Sequence, residues 1–110
     1  MLILAAHLAG DFLLQSGWMA YNKKLNIIAL LLHTSIYTLL QAVAIIAISY
    51  HYPPIIDSIW WILGSIFISH AVIDKIEFCQ NDEWDQKCFW VDQSWHAVTL
   101  AIIYWFAGLI

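Results

Sequence analysis

Residues 26–50 read NIIALLLHTSIYTLLQAVAIIAISY, an unbroken run without a single Asp, Glu, Lys or Arg. A helix needs roughly 20 apolar residues to cross about 30 Å of hydrocarbon, so this stretch predicts a transmembrane helix. Three further apolar stretches flank it, from Met1 to about Ala20, from Asp57 to Ile76 and from Trp90 to Ile110. The expected fold is all-α, one integral membrane four-helix bundle over residues 1–110, with helices near 1–20, 26–50, 57–76 and 90–110. The runs are continuous rather than alternating, which argues against strands.

The breaks between the runs have physical causes. Tyr21-Asn22-Lys23-Lys24 is too polar for lipid. Pro53-Pro54 removes two amide donors and stops the second helix, and Asp57 and Ser58 stand where they can cap the third. The segment from Cys79 to Cys88 is the most polar of the chain. The first run lacks a basic leader and carries Asp11, so it does not read as a signal peptide.

Composition supports the same reading. Only 11% of the 110 residues are charged and 63% are hydrophobic. Soluble domains carry about 25% charged residues, so this chain could not cover a water-facing surface. A soluble enzyme and a disordered protein are both excluded. Four Lys, no Arg and a net charge of −4 exclude a nucleic-acid partner. Lys23 and Lys24 lie in the first loop, and Lys75 and Lys87 flank the third. The positive-inside rule then puts loops 1 and 3 in the cytoplasm. Cys79 and Cys88 would be reduced thiols there, and a disulfide if the orientation is reversed.

Several residues conflict with a lipid setting. An Asp at the centre of a membrane helix costs about 2.5–3.5 kcal/mol. Asp11, Asp74 and Asp92 each sit in a predicted span, and each has a His four positions away: His7, His70 and His96. Residues at i and i+4 share a helix face. The second helix adds His33, with Tyr37 and Gln41 on the same stripe. Asp11, His33, His70, Asp74, Asp92 and His96 fall within about two turns of one depth, with His7 one turn deeper.

Imidazole and carboxylate are ligands of Zn, Mn and Fe. The candidate ligands are therefore His7, Asp11, His33, His70, Asp74, Asp92 and His96, around one or two divalent transition-metal ions. Two ions about 3.5–4 Å apart could use them all. One ion supported by outer Asp–His pairs is the economical alternative. Bound metal would neutralise the carboxylates and relieve their burial cost. A metal-free proton relay and a purely structural hydrogen-bond network are the competing readings. His51, in the second loop, reads as a packing residue, and Gln15, Tyr37, Gln93 and Thr99 as supporting residues rather than ligands. Gly10 suits either a close helix approach or a kink.

The stretch His7-Leu8-Ala9-Gly10-Asp11-Phe12-Leu13-Leu14-Gln15, followed by Trp18, Met19 and Lys23, resembles a family of small bacterial and phage membrane proteins classed as a domain of unknown function. His33-Thr34-Ser35-Ile36-Tyr37, Ser69-His70-Ala71-Val72-Ile73-Asp74-Lys75 and Asp92-Gln93-Ser94-Trp95-His96 continue the resemblance across nearly the whole chain. It implies four membrane helices in a bacterial inner membrane. More distantly, the His-x-x-x-Asp pattern is similar to predicted membrane-bound metal-dependent hydrolases, although further His and Arg motifs typical of them are missing.

The expected function is a metal-dependent hydrolase acting near the cytoplasmic face on a lipid, lipid-linked or membrane-peptide substrate. Asp11, Asp74 and Asp92 would be ligands or bridges, one of them a general base. The alternatives are metal-ion or proton transport and a structural subunit with a stabilising metal. The expected partners are membrane lipids and, for transport, further copies of the chain in a homo-oligomer.

Overall fold

The computed structural model describes residues 1–51, 57–76 and 86–109. Among these residues there is no strand. The elements are α1 (Leu2–Leu8), a π-helical segment (Ala9–Leu13), α2 (Gly17–Asn22), α3 (Ile27–Ser49), α4 (Ile59–Lys75) and α5 (Gln86–Phe106). The Pro53-Pro54 break and most of the polar third loop, with Cys79, lie outside the described residues.

The expected first helix over 1–20 is three pieces. α1 runs into the π segment, which ends at Leu14, and the backbone turns extended at Ser16. Ser16 caps α2 by accepting a hydrogen bond from the Met19 amide at 3.2 Å. A serine hydroxyl competes with the helical ladder for amides, so it favours a fresh N-terminus over an uninterrupted helix. Asn26 caps α3 in the same way, accepting from the Ile28 amide at 2.8 Å. Ser58 stands at the N-cap of α4, but its side chain makes no capping bond. α5 begins at Gln86, four residues before the expected start, and ends at Phe106.

α3 is long and apolar enough to cross a membrane, and it is the one such helix among the described residues. At 1.5 Å per residue it extends about 35 Å. The helices pack in chain order, α1 on α3, α3 on α4 and α4 on α5, with α2 beside α3. The backbones of α1 and α5 do not approach each other closely, so a seam bridged by the His7–Gln93 side-chain contact separates the two ends of the arc.

The interior has two parts. At one end, Tyr37, Ile45, Ile62, Ile66, Leu100, Ile103 and Tyr104 form an apolar core. The residues contributed by α3 and α4 recur at helical spacing and so share one face of each helix. Towards the α2 end, the buried residues include the ionisable set His7, Asp11, His33, His70, Asp74, Asp92 and His96. The exterior is the reverse. Leu13, Tyr21, Leu39, Trp60, Trp105 and Phe106 are each more than 60% exposed, and many further Leu, Ile and Trp side chains face outward with them.

Cys88 is buried and disulfide-bonded. Of the two states that the sequence leaves open for this thiol, the structure has the disulfide.

Candidate metal centre

Gly10 and the π segment bring the first acidic residue inward. A Cβ on Gly10 would lie 2.7 Å from Tyr37 Cδ2 and 3.3 Å from Tyr37 Cα. With only hydrogen there, the segment lies directly against α3. The wider π turn changes the facing of residues after Leu8 relative to a continuous α-helix, and Asp11 is 3% exposed. Such turns recur at functional sites. α3 supplies His33. α4 supplies His70 and Asp74, one turn apart on its inner face. α5 supplies Asp92 and His96.

Four atoms from three elements converge. His33 Nε2 lies 3.0 Å from His70 Nε2, 3.4 Å from Asp11 Oδ1 and 3.0 Å from Asp74 Oδ2. His70 Nε2 lies 3.5 Å from Asp11 Oδ1 and 3.1 Å from Asp74 Oδ2. Asp11 Oδ1 and Asp74 Oδ2 are buried with no well-aligned hydrogen-bond donor, the ring nitrogens of His33 and His70 being their near polar neighbours. Leaving such an oxygen unsatisfied is costly. Ligands at about 2.0–2.1 Å from a tetrahedral ion stand about 3.3–3.4 Å apart, and the imidazole–imidazole and imidazole–carboxylate separations here span 3.0–3.5 Å. The residues therefore fit a small divalent cation. Asp11, His33 and His70 form one group that could hold a metal ion, and His70, Asp74 and His96 a second, overlapping one.

The other sequence-predicted residues surround these four atoms. The Nδ1 of His96 lies 2.9 Å from the carbonyl of Asp92, so Nδ1–H donates there and the opposite nitrogen is left with its lone pair. That Nε2 is buried without a hydrogen bond, 3.5 Å from Asp74 Oδ1. The carboxylate of Asp92 lies 3.7 Å from the ring of His96. His7 belongs to the cluster, but both its nitrogens have other partners. Its Nε2–H donates to Gln93 Oε1 at 3.1 Å, and Tyr37 donates its hydroxyl to Nδ1 at 2.7 Å. Gln93 in turn donates to Asp11 Oδ2 at 3.4 Å and to Asp92 Oδ2 at 3.3 Å. Tyr37 also stacks on His70, with ring centroids 3.6 Å apart.

The sequence reading missed Lys23. It counted this residue only as a loop charge, yet its ammonium lies 3.0 Å from Asp74 Oδ1. The available signal was the depth of Asp74, near the same membrane boundary as loop 1. Lys24 donates to the Asp74 and Ile76 carbonyls at the C-terminus of α4, and Lys75 donates to the Lys24 carbonyl.

Two cavities adjoin the cluster. A space of about 10 Å³ is lined by Tyr37, Ser69, His70, His96 and Thr99 among others, close to the size one water needs. A cavity of about 240 Å³ lies along the seam, lined by Ile3, Leu4, His7, Ala97, Leu100 and Tyr104 among others. Its lining is mostly apolar and includes His7 and Met1.

Fold and cluster together define an all-helical protein whose buried His/Asp groups could hold a metal ion. The chain belongs to the family described as protein of unknown function DUF3307, which matches residues 1–109. No curated protein and no solved structure matches it.

Proposed function

We propose that this chain is a multi-pass membrane protein of the bacterial inner membrane and a metal-dependent hydrolase acting on a lipid, lipid-linked or membrane-peptide substrate. The observation that carries the reading is the convergence of Asp11, His33, His70 and Asp74 at ligand spacing, with both carboxylate oxygens unsatisfied. The membrane setting is supported by the inverted distribution of side chains, ionisable within and large apolar without. In water such a surface would aggregate. The longest dimension, 46 Å, is near the 40–45 Å of a whole bilayer.

A divalent ion of the Zn, Mn or Fe type supplies positive charge that acidifies water and polarises a carbonyl or phosphoryl group. The chain's own residues divide the remaining work. His96, held by its bond to the Asp92 carbonyl so that Nε2 keeps its lone pair, lines the water-sized cavity with His70 and would accept a proton from water there. Gln93, itself held by His7, donates to the Asp11 carboxylate. The apolar seam between α1 and α5 gives an acyl chain or an apolar peptide a path from the lipid to His7.

The Lys pattern places the α2 end of the bundle in the cytoplasm, but Lys23, Lys24 and Lys75 are all engaged within the fold. The disulfide at Cys88 favours an oxidising compartment for that end. We therefore assign the α2 end to the outer side of the inner membrane.

A structural role for the ion is the second reading, because four protein ligands are the mark of closed, structural zinc sites. One experiment separates the readings. Detergent-purified, zinc-loaded protein is incubated with membrane lipid extract and apolar peptides, and products are followed by mass spectrometry. Hydrolysis products that require metal and vanish in His70→Ala are expected. Bound metal that stabilises the fold without any product favours the structural role. Protein that takes up no transition metal refutes both.

A further inference from the structure

The cluster contains more ligands than one ion needs, and its two ligand groups overlap at His70, so it resembles half-built dinuclear sites. Charge and geometry favour a single ion. Three carboxylates, Asp11, Asp74 and Asp92, are buried at 5% exposure or less. The cation that meets them from within the chain is Lys23, whose ammonium lies 3.0 Å from Asp74 Oδ1. Lys24 lies at the rim on the Asp74 and Ile76 carbonyls. Three negative charges are balanced by one divalent ion and one ammonium, with all histidines neutral as ligands must be. A second divalent ion would leave two uncompensated positive charges in a buried site, and uncompensated buried charge is strongly unfavourable.

Position agrees with charge. The two Asp74 oxygens face different ways. Oδ2 points at His33 and His70, 3.0 and 3.1 Å away. Oδ1 points at Lys23 and at the unpartnered Nε2 of His96, 3.0 and 3.5 Å away. In a dinuclear centre a bridging carboxylate would offer Oδ1 to the second ion, with His96 as its other ligand. Here the ammonium holds that oxygen.

We propose that the cluster binds one divalent ion, on Asp11, His33 and His70 with Asp74 Oδ2 beside the two imidazoles, and that the Lys23 ammonium takes the place of a second. The proposal rests on the reading of the cluster as a metal centre. It also separates the histidines, since His33 and His70 hold the ion and His96 does not.

The test is zinc stoichiometry by elemental analysis of the full chain in detergent, after saturation with zinc and desalting. Wild type and Lys23→Arg are expected to hold one zinc per chain. Lys23→Glu, which removes the ammonium and adds a carboxylate at the same place, is expected to hold two. His96→Ala is expected to stay at one, and it decides the matter even if the Lys23→Glu protein does not fold. Two zinc ions in the wild type, a fall in His96→Ala, or a folded Lys23→Glu protein still at one would each overturn the proposal while leaving the metal centre intact. No zinc in the wild type would remove the centre itself.

Discussion

Gly10 is where one hydrogen atom determines how closely two elements approach. The Tyr37 backbone and ring lie where any side chain at residue 10 would go. Tyr37 cannot simply move aside, because its ring stacks on His70 and its hydroxyl donates to His7. Overpacking typically costs about 1–3 kcal/mol, against a gain of about 1 kcal/mol in helix propensity when Gly becomes Ala. Gly10→Ala is therefore expected to destabilise the protein by about 1–2 kcal/mol, read by thermal unfolding in detergent. A neutral or stabilised variant would show that the contact is slack. The same substitution should also weaken zinc binding, since the displaced ring carries His70 with it.

At the scale of elements, the π segment decides which way Asp11 faces. One residue of an α-helix turns the chain by about 100°. Deleting Ala9 should convert Ala9–Leu13 towards α geometry and rotate Asp11 relative to α1. The expected result is unchanged helical circular dichroism with zinc affinity reduced more than about tenfold, measured by competition titration. Unchanged affinity would mean that the turn has no part in the site. This element also marks the limit of what pattern could reveal. The His/Asp pairs at i and i+4 were legible because helical period alone puts them on one face, and Lys and Pro placement put those faces at similar depth. The π turn was not legible, because His7 and Asp11 have the same spacing in sequence whichever helix they occupy. The restart of the chain at Ser16 was also missed, because a continuous apolar run conceals a capping serine. The partnership of Lys23 with Asp74 was legible only as a shared depth near one membrane boundary, because the contact itself depends on how the elements pack. The long apolar run of α3 needed no tertiary information, and its helix ends within one residue of the expected limits.

At the scale of the molecule, the cluster links the π segment, α3, α4 and α5 and gathers three carboxylates that the Lys23 ammonium alone does not neutralise. Bound metal should therefore contribute directly to stability. Zinc at about 100 times its dissociation constant is expected to stabilise the protein by about 2.7 kcal/mol. A chelator should reverse this, with a matching fall in the unfolding temperature. An unfolding temperature indifferent to chelator would show that protons, rather than a metal, balance the carboxylates.

The packing order of the helices also has a biosynthetic consequence. Each long helix lies against the one made just before it, and Asp11, His33, His70 and Asp74 all precede α5 in the chain. At about 5–20 residues per second, translation of α5 takes roughly one to a few seconds. An ion can thus be captured by the nascent chain while its final helix is still being synthesised.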